Sequence, residues 1–290
     1  MLRFILKKMF WGGFHRLLSD RQYIMVRYWI EHGFLPDLDH PKRLSEKIHY
    51  LKLHDRSELR RTAADRLKVR EYVAEKAGEE YLIPLIGHYK FLTEKIWESL
   101  PDRFVLKASH GSAMVKIVHN KADENFEEVQ KITKEWMNRD YSKIGREWVY
   151  ENTPRKIVAE KLIKDDDGNI ASDYKFFCFH GKVKLLHIDM DRFDDGRRNF
   201  FDENLKPVDV MFRLPPKEKP VSLPENIREA IKIAEKLSED FNFIRVDLYL
   251  AKNKIYFGEL TNFPGNGFNR LEPDEYDLKY GEMLSLDQEK

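Results

Sequence analysis

The chain has 290 residues, of which 42% are hydrophobic and 13% aromatic, so it can bury a substantial core and is not a disordered protein. Its 51 Lys and Arg residues balance 50 Asp and Glu residues, and this near-neutral charge gives no reason to expect a nucleic-acid partner. The single cysteine, Cys178, excludes an internal disulfide and any zinc site built from several cysteines, and it fits a reducing cytoplasm.

Residues 1–60 are predicted to form a helical N-terminal region. Its first 18 residues are basic and apolar, but their apolar runs are too short for a signal peptide or a spanning helix. Two interpretations stay open for this segment. It could lie as an interfacial helix on an anionic membrane, or it could pack on the domain or on a partner, as amphipathic helices more often do.

Residues 61–165 are predicted to form the first of two mixed subdomains. Apolar spacing predicts a helix over 63–77 that Gly78 ends, and a second helix through Phe126 and Trp136. Three strands are predicted, at 104–106, 115–118 and 157–163, with the first two joined by a turn at 110–112.

Residues 166–290 are richer in predicted strands. Strands at 174–179 and 183–188 flank a tight turn, and strands at 244–250 and 254–260 flank a turn at Lys252 and Asn253. Ser222 and Glu225 have the spacing of a capping box that would begin the helix carrying Ile227, Ile231, Ala234 and Leu237. Antiparallel hairpins combined with helices predict an α+β fold.

Two acids interrupt the apolar strands of the last hairpin. These are Asp247 and Glu259, and residues on paired strands can face one another. Two neighbouring carboxylates repel unless a cation or a proton lies between them, and Mg²⁺ or Mn²⁺ with oxygen ligands meets that need. The alternative is a pair of edge-strand acids in water or in salt bridges.

A lysine-tipped hairpin is the second candidate. Its first strand ends in Lys107, the turn contains Gly111 and Ser112, and the returning strand carries Lys116. Small residues let backbone amides approach phosphate oxygens, and a lysine supplies the compensating charge. The spacing of a Walker loop is absent, and a purely structural turn is the alternative.

Three further groups could contact a nucleotide. Glu160 lies near the end of an apolar strand, where a carboxylate and the backbone could hold adenine. Strand alternation places Asp173 and Lys175 on one face, where they could meet ribose and phosphate. Arginines crowd a glycine turn at 191–199 and suit phosphate or carboxylate, although a solvated loop is equally compatible; they are Arg192, Arg197 and Arg198.

In this order, the pieces resemble the ATP-grasp superfamily and, within it, the TupA-like family, named for teichuronopeptide synthesis in bacterial envelopes. The resemblance runs from about Pro41 to the C-terminus. It is carried by these segments: Phe-Val-Leu-Lys107, Gly111-Ser112, Val-Ala-Glu160-Lys-Leu, Asp173-Tyr-Lys-Phe-Phe, Arg245-Val-Asp247-Leu-Tyr, and Phe-Gly-Glu259-Leu-Thr with Pro264-Gly265. It implies an ATP-grasp fold in which two α+β subdomains clasp ATP, with a helical N-terminal extension.

The resemblance also implies a role for each candidate residue. Cofactor-binding roles fall to Lys107 and Lys116 at the phosphates, Gly111 and Ser112 in the lid, Glu160, Lys161 and Ile163 at adenine, and Asp173 at the ribose. Catalytic roles at the γ-phosphate and acyl phosphate fall to Lys175 and Arg198. Metal-binding roles fall to Asp247, Glu259 and Thr261, where Glu-x-Asn is the common family pattern and Asn262 lies one place late. At the position of a lysine that is often expected early in the nucleotide domain of the family, this chain has Arg66 or Lys68.

The expected activity is an ATP- and Mg²⁺-dependent carboxylate–amine ligase that forms an amide through an acyl phosphate. The carboxylate would be a uronic acid or an amino acid in bacterial surface polysaccharide synthesis, at a cytoplasmic location that includes peripheral contact with the membrane. A nucleotide-sugar-dependent glycosyltransferase stays open as an alternative, because Asp189-Met190-Asp191 has the D-x-D spacing. A non-catalytic nucleotide-binding scaffold is the third hypothesis.

Overall fold

The structure is a computed structural model that describes residues 2–165, 168–189, 198–212, 221–251 and 254–286. Its helices, in chain order, are α1 (Leu2–Trp11), α2 (Asp20–His32), α3 (Leu44–His54), α4 (Glu58–Ala64), α5 (Val69–Lys76), α6 (Glu94–Ser99), α7 (Phe126–Asn138), α8 (Ile227–Ser238) and α9 (Asp274–Glu282). Within these described ranges, none of the helices combines the length and the apolar character needed to cross a bilayer.

The strands form two antiparallel sheets, and the prediction of an α+β fold is confirmed. The strands, in chain order, are β1 (Leu85–Tyr89), β2 (Phe104–Ala108), β3 (Val115–Val118), β4 (Ile157–Lys161), β5 (Asp173–Phe179), β6 (Lys182–Asp189), β7 (Asn199–Asp202), β8 (Pro207–Val208), β9 (Phe243–Ala251) and β10 (Lys254–Thr261). The first sheet has the order β1-β4-β2-β3 and the second has the order β10-β9-β5-β6-β7-β8.

The described chain divides into two compact units. The first takes its residues from 2–56, 209–212 and 263–286, and it contains α1, α2, α3 and α9. The second takes its residues from 57–208 and 221–262, and it contains both sheets. The sheets fall within 61–165 and 166–290, and the predicted domain boundaries at 60 and 165 stay a prediction.

Each sheet packs one face against helices. In the first sheet, Phe104 and Leu106 pack with Trp97 of α6 and with Val129 and Trp136 of α7. In the second sheet, alternate residues of β5, β6 and β9 pack against the amphipathic helix α8. Because alternate strand residues point to opposite faces, the charged candidates of β5 and β9 share the face that α8 does not cover.

Two predicted helix boundaries are wrong. The helix expected over 63–77 is two helices, because Asp65 adopts an extended backbone and its carboxylate accepts hydrogen bonds from the amides of Leu67 (2.9 Å) and Lys68 (3.3 Å). The capping box at Ser222 and Glu225 does not form, since α8 begins at Ile227 with Asn226 as its N-cap and no side-chain cap bond. Both errors concern local hydrogen bonds, which periodicity does not report.

Candidate active site

The lysine-tipped hairpin lies next to β4, which brings Lys107 and Glu160 together. Lys107 pairs with Val158 in register, so Lys107 and Glu160 lie on the same face of the first sheet. The Lys107 ammonium lies 2.7 Å from one Glu160 oxygen, and the Arg70 guanidinium lies 3.4 Å from the other. Both Lys107 and Glu160 are 8% exposed, so the three charges form a largely buried cluster.

Lys116 lies on the opposite face of this sheet from Lys107. It pairs with Leu106, whose side chain belongs to the core under α7, and its ammonium lies 2.7 Å from a Glu124 oxygen. Residues paired across neighbouring strands share a face, so Lys116 follows Leu106 rather than Lys107. The structure therefore does not bring Lys116 together with the other predicted phosphate contacts.

The turn between β2 and β3 is anchored at Ser109, where it leaves β2. Ser109 donates its hydroxyl proton to the Pro154 carbonyl at 2.7 Å and its amide proton to the Lys156 carbonyl at 2.9 Å. The Tyr141 ring occupies the space that a Cβ on Gly111 would need, at 2.5 Å from its nearest atom. Burial raises the pKa of Tyr141 to about 12, although the neighbouring Ser112 side chain acts in the opposite direction. Tyr141 thus contacts the two residues predicted to form the lid.

The predicted adenine segment runs from β4 into an irregular connection. The Lys161 amide donates to the Pro84 carbonyl at 3.0 Å, and the Ile163 carbonyl accepts from the Ala171 amide at 3.2 Å. These two bonds fix the backbone immediately after Glu160. The segment is therefore held in one conformation beside the cluster formed by Lys107, Glu160 and Arg70.

In the second sheet, the two predicted metal ligands and a catalytic candidate occupy one row across three strands. Glu259 of β10 pairs with Asp247 of β9, and Asp247 pairs with Lys175 of β5. The Lys175 ammonium lies 3.4 Å from an Asp247 oxygen and also contacts the Asp173 carboxylate. Asp173, Lys175 and Asp247 are all less than 7% exposed, so these charges interact with little screening by water.

A β-bulge at Gly258 is what places Glu259 opposite Asp247. The register shifts between Phe257 and Glu259, and without that extra residue Asp247 would pair with Gly258. Glu259 would then pair with Val246 and point to the other face. A Cβ on residue 258 would lie 2.9 Å from the Asp247 carbonyl oxygen, so the close approach requires glycine.

Arg245 is a site residue that the sequence analysis did not single out. Its guanidinium binds both oxygens of Asp247, each at 2.6 Å, and lies 3.4 Å from Glu259. It also donates to the Thr261 hydroxyl at 3.0 Å. The signal available in the sequence was its position two residues before Asp247 on a strand, which places both side chains on one face.

Arg66, from the α4–α5 connection, contacts Glu259, one member of the same carboxylate pair. It donates to Glu259 at 3.1 Å and to the Ala108 carbonyl, at the end of β2, at 3.1 Å. The structure therefore joins Arg66 to both sheets within the second unit, whereas Lys68 pairs with Glu58 at 3.6 Å. Of the two residues considered for the early family lysine, Arg66 is the one at the carboxylates.

The side chains of Thr261, the last residue of β10, and of Asn262, which follows it, contact different partners. The Thr261 hydroxyl donates to Glu259 at 3.1 Å. The Asn262 side chain instead donates to the Arg60 carbonyl at 2.9 Å and accepts from the Arg60 guanidinium at 3.2 Å. Thr261 is thus the residue of the two that lies beside the carboxylates.

Burial and neighbouring charges shift the pKa values of the two carboxylates in opposite directions. Burial raises the pKa of Asp247 to about 6, although Arg245 and Lys175 oppose that shift. Burial would also raise the pKa of Glu259, but Arg66, Arg245 and Lys175 outweigh it and lower that pKa to about 2. A nearby positive charge would therefore stabilise the ionised form of Asp247 more than that of Glu259, because burial disfavours ionisation of Asp247.

The donor set fits a magnesium ion bound together with phosphates. Among the described residues, no three His, Cys, Asp or Glu side chains converge into a complete metal cage. Mg²⁺ commonly uses one or two carboxylates and takes its other ligands from water and substrate phosphates. Asp247 and Glu259 supply that number of hard oxygen ligands on one face, and the contacts of Arg245 with both show that the pair accommodates a cation between its members.

Arg198 immediately precedes β7 and shares the face of this row. Lys175 pairs with His187, and His187 pairs with Phe200, so Phe200 lies on the same face as Lys175. Strand alternation places Arg198, two residues earlier, on that face as well. The described residues do not include Arg192 and Arg197. They also do not include Met190 and Asp191, so only Asp189 of the D-x-D triplet is described.

Solved structures of ligases are similar to this chain at low identity. D-alanine–D-alanine ligase from Helicobacter pylori is 16% identical with a TM-score of 0.45, over 84% of this chain and 69% of that one. The ATP complex of the Bacillus anthracis enzyme is 16% identical with a TM-score of 0.43, over 77% and 63%. L-amino acid ligase from Bacillus licheniformis is 15% identical with a TM-score of 0.40, over 91% and 53%. This chain thus spans less than two thirds of the length of the last two.

A comparison with curated proteins finds no match. The model of one protein family, the TupA-like ATP-grasp family, matches residues 46–285. This match covers both sheets, every candidate residue described above and most of the helices. The chain belongs to the TupA-like ATP-grasp family.

Proposed function

We propose that this protein is an ATP-dependent ligase that joins a carboxylate to an amine through an acyl-phosphate intermediate. The observation that carries the proposal is the row Glu259–Asp247–Lys175, in which two carboxylates face one another in register beside buried cations. Phosphoryl transfer depends mainly on such positioned charges, because the transition state spreads negative charge over the transferred oxygens.

The first sheet would hold the nucleotide. Lys107 would contact the α- and β-phosphates, which would replace Glu160 as its partner. Glu160 would then accept a hydrogen bond from the adenine amine, with the backbone of Lys161 and Ile163 beside the ring. Asp173 would bind the ribose. Support for a shared nucleotide site comes from the proximity of Lys107 and Glu160, whose charged atoms lie 2.7 Å apart.

Asp247 and Glu259 would hold Mg²⁺, with Thr261 beside them. When bound, the ion would supply positive charge against the phosphate oxygens. Lys175 and Arg198 would neutralise the γ-phosphate and the acyl phosphate. Arg245, which already contacts both carboxylates, would keep them oriented and add a fixed positive charge at the reacting group.

The turn containing Gly111 and Ser112 would close over the phosphates. An acyl phosphate hydrolyses if water reaches it, so closure would favour transfer to the amine over loss of the intermediate. Once closed, the site would leave the amine as the available nucleophile. The contacts of Tyr141 with Gly111 and Ser112 give this turn a defined position.

For the substrates, we extend the proposal to a uronic acid or an amino acid as the carboxylate, in the synthesis of a bacterial surface polysaccharide. Support comes from membership of a family named for teichuronopeptide synthesis. A cytoplasmic location is part of the proposal because that compartment supplies ATP and Mg²⁺. Peripheral contact with the inner face of the membrane would bring the enzyme to lipid-linked polysaccharide precursors.

The test is a screen for ADP release over pairs of uronic or amino acids and amines, followed by mass measurement of the product. We expect a product whose mass is the sum of the carboxylate and the amine minus one water, with one ADP released for each amide formed. Asp247→Asn should abolish ADP release while circular dichroism shows an intact fold, and exposed Asp102→Asn is the matched control. Normal turnover in Asp247→Asn would refute the proposed metal ligand.

A further inference from the structure

The segment formed by α1 and the turn that follows it, residues 2–18, exposes an unusual amount of apolar surface. Six of the eleven exposed large hydrophobic side chains in the described residues lie between positions 4 and 17; they are Phe4 (62% exposed), Ile5 (48%), Met9 (53%), Trp11 (51%), Phe14 (38%) and Leu17 (82%). Exposed hydrophobic residues are ordinary when scattered singly, whereas a concentrated patch indicates an interaction surface.

Helix α1 does not need these side chains to pack against its own unit. Its inward side is formed by Phe10, which is fully buried, and by Leu6, and both join the cluster around Tyr23 of α2. The Arg3 guanidinium donates to the carbonyls of Ile30 at 2.7 Å and Glu31 at 3.0 Å. These contacts hold α1 in place and leave its other side facing outward.

The outward side has the geometry of an interfacial helix. Phe4, Lys8 and Trp11 follow one another at spacings of four and three residues, so they share a face, and the Lys8 ammonium lies 4.8 Å from the centre of the Phe4 ring. Lysine beside exposed aromatic and aliphatic side chains can extend its ammonium to the headgroups while its stem stays with the apolar surface.

The charge of the segment identifies the surface it fits. Residues 1–19 contain Arg3, Lys7, Lys8 and Arg16 and no acidic residue, although the whole chain carries 51 basic and 50 acidic residues. Lys7, Lys8 and Arg16 are exposed. A protein interface usually excludes lysine from its centre, whereas an anionic membrane attracts it.

We infer that residues 2–18 dock this protein onto an anionic phospholipid surface, with Phe4, Ile5, Met9, Trp11 and Leu17 entering the interface and Lys7, Lys8 and Arg16 meeting the headgroups. The segment lies in the first unit, and the proposed ATP site lies in the second. Docking is therefore independent of whether the proposed ligase activity is correct, and a vesicle assay and an ADP assay can fail separately.

The test is co-sedimentation of the full chain with vesicles of pure phosphatidylcholine and with vesicles containing 30% phosphatidylglycerol. Binding to the anionic vesicles, little binding to the neutral ones and loss of binding at high salt are expected. Trp11, the exposed one of the five tryptophans, supplies a second readout, because insertion should shift the tryptophan fluorescence to shorter wavelength and let brominated lipid quench part of it.

Variants assign the binding to this segment. Lys7→Glu with Lys8→Glu should weaken the partition coefficient by at least about 25-fold, since each basic residue contributes about fivefold. The matched control reverses two exposed lysines of α7, Lys131→Glu with Lys134→Glu, and should bind like the wild type.

A second pair of variants tests the apolar contribution. Phe4→Gln with Trp11→Gln should also weaken binding, whereas Leu35→Gln with Phe91→Gln, which removes equally exposed side chains elsewhere, should not. Three outcomes would each overturn the inference: no binding to anionic vesicles, equal binding to both vesicle types, or unchanged binding of the segment variants. Such a result would favour a protein partner for this surface.

Discussion

Replacing Glu259 with glutamine removes one charge from the carboxylate pair and keeps the size of the side chain. Glu259 receives hydrogen bonds from Arg66 and Thr261, each at 3.1 Å, and lies 3.4 Å from Arg245. These contacts lower its pKa from 4.5 to about 2. The ionised form is therefore stabilised in the folded protein relative to the unfolded chain.

The size of the effect follows from that pKa. At about 1.4 kcal/mol per pKa unit, the fall corresponds to about 3 kcal/mol. Because the Glu259 side chain is 31% exposed, solvent screening reduces this value, and we expect Glu259→Gln to lower the free energy of unfolding by about 1–2 kcal/mol at pH 7. The folded pKa is the lower one, so this contribution is complete above about pH 5 and disappears as the pH falls toward 2.

Urea denaturation at pH 7 and at lower pH measures the stability, and ADP release measures the function. We expect turnover of Glu259→Gln to fall at least about 100-fold, since a charged ligand of the proposed ion is lost. Exposed Glu203→Gln is the matched control and should leave both quantities unchanged. A Glu259→Gln variant with wild-type stability and wild-type ADP release would refute the account of this carboxylate.

Three further predictions concern the bulge, the lid and a buried histidine. Gly258→Ala should reduce ADP release at least about tenfold, because the new Cβ would lie 2.9 Å from the Asp247 carbonyl oxygen and displace the bulge. Unchanged kinetics would show that the bulge does not position Asp247 and Glu259. Tyr141→Phe removes the hydroxyl whose pKa the Ser112 side chain influences, and it should raise the KM for ATP severalfold with the fold intact. Initial-rate kinetics would test this, and an unchanged KM would separate the Tyr141 hydroxyl from the lid. Burial holds the pKa of His49 well below 6.5, so only the unfolded chain binds a proton at this histidine as the pH falls from 6.5 to 5.5. Over that range, denaturant titrations should show the wild type losing about 1 kcal/mol more unfolding free energy than His49→Gln. Equal losses in the two proteins would contradict this.

Strand periodicity predicted the hairpins because alternating apolar residues and turn signals are local. The facing of Asp247 and Glu259 was predicted from the hairpin alone, and it is observed, but a regular register would have placed the two on opposite faces. The bulge at Gly258 corrects the register. A glycine directly after an aromatic strand residue does not by itself predict a bulge, so this part required the structure.

The positions of other residues depend on contacts that sequence spacing does not report. Lys116 was grouped with Lys107 because both lie on one hairpin, but the register places them on opposite faces. Tyr141 reaches Gly111 from a segment 30 residues further along the chain, and Arg66 reaches Glu259 across nearly 200 residues. Such long-range contacts follow from packing rather than from local pattern. Arg245, by contrast, could have been predicted from its spacing to Asp247.

We propose that Asp247 and Glu259 hold a divalent cation against the phosphates of a bound nucleotide. Crystals grown with ADP and Mn²⁺ test it directly, because the anomalous signal of manganese locates the ion without reference to the protein. We expect a peak about 2.1–2.3 Å from an oxygen of each carboxylate and beside the β-phosphate. A peak remote from both acids, or nucleotide bound while Asp247 and Glu259 contact only the neighbouring protein cations, would contradict the claim.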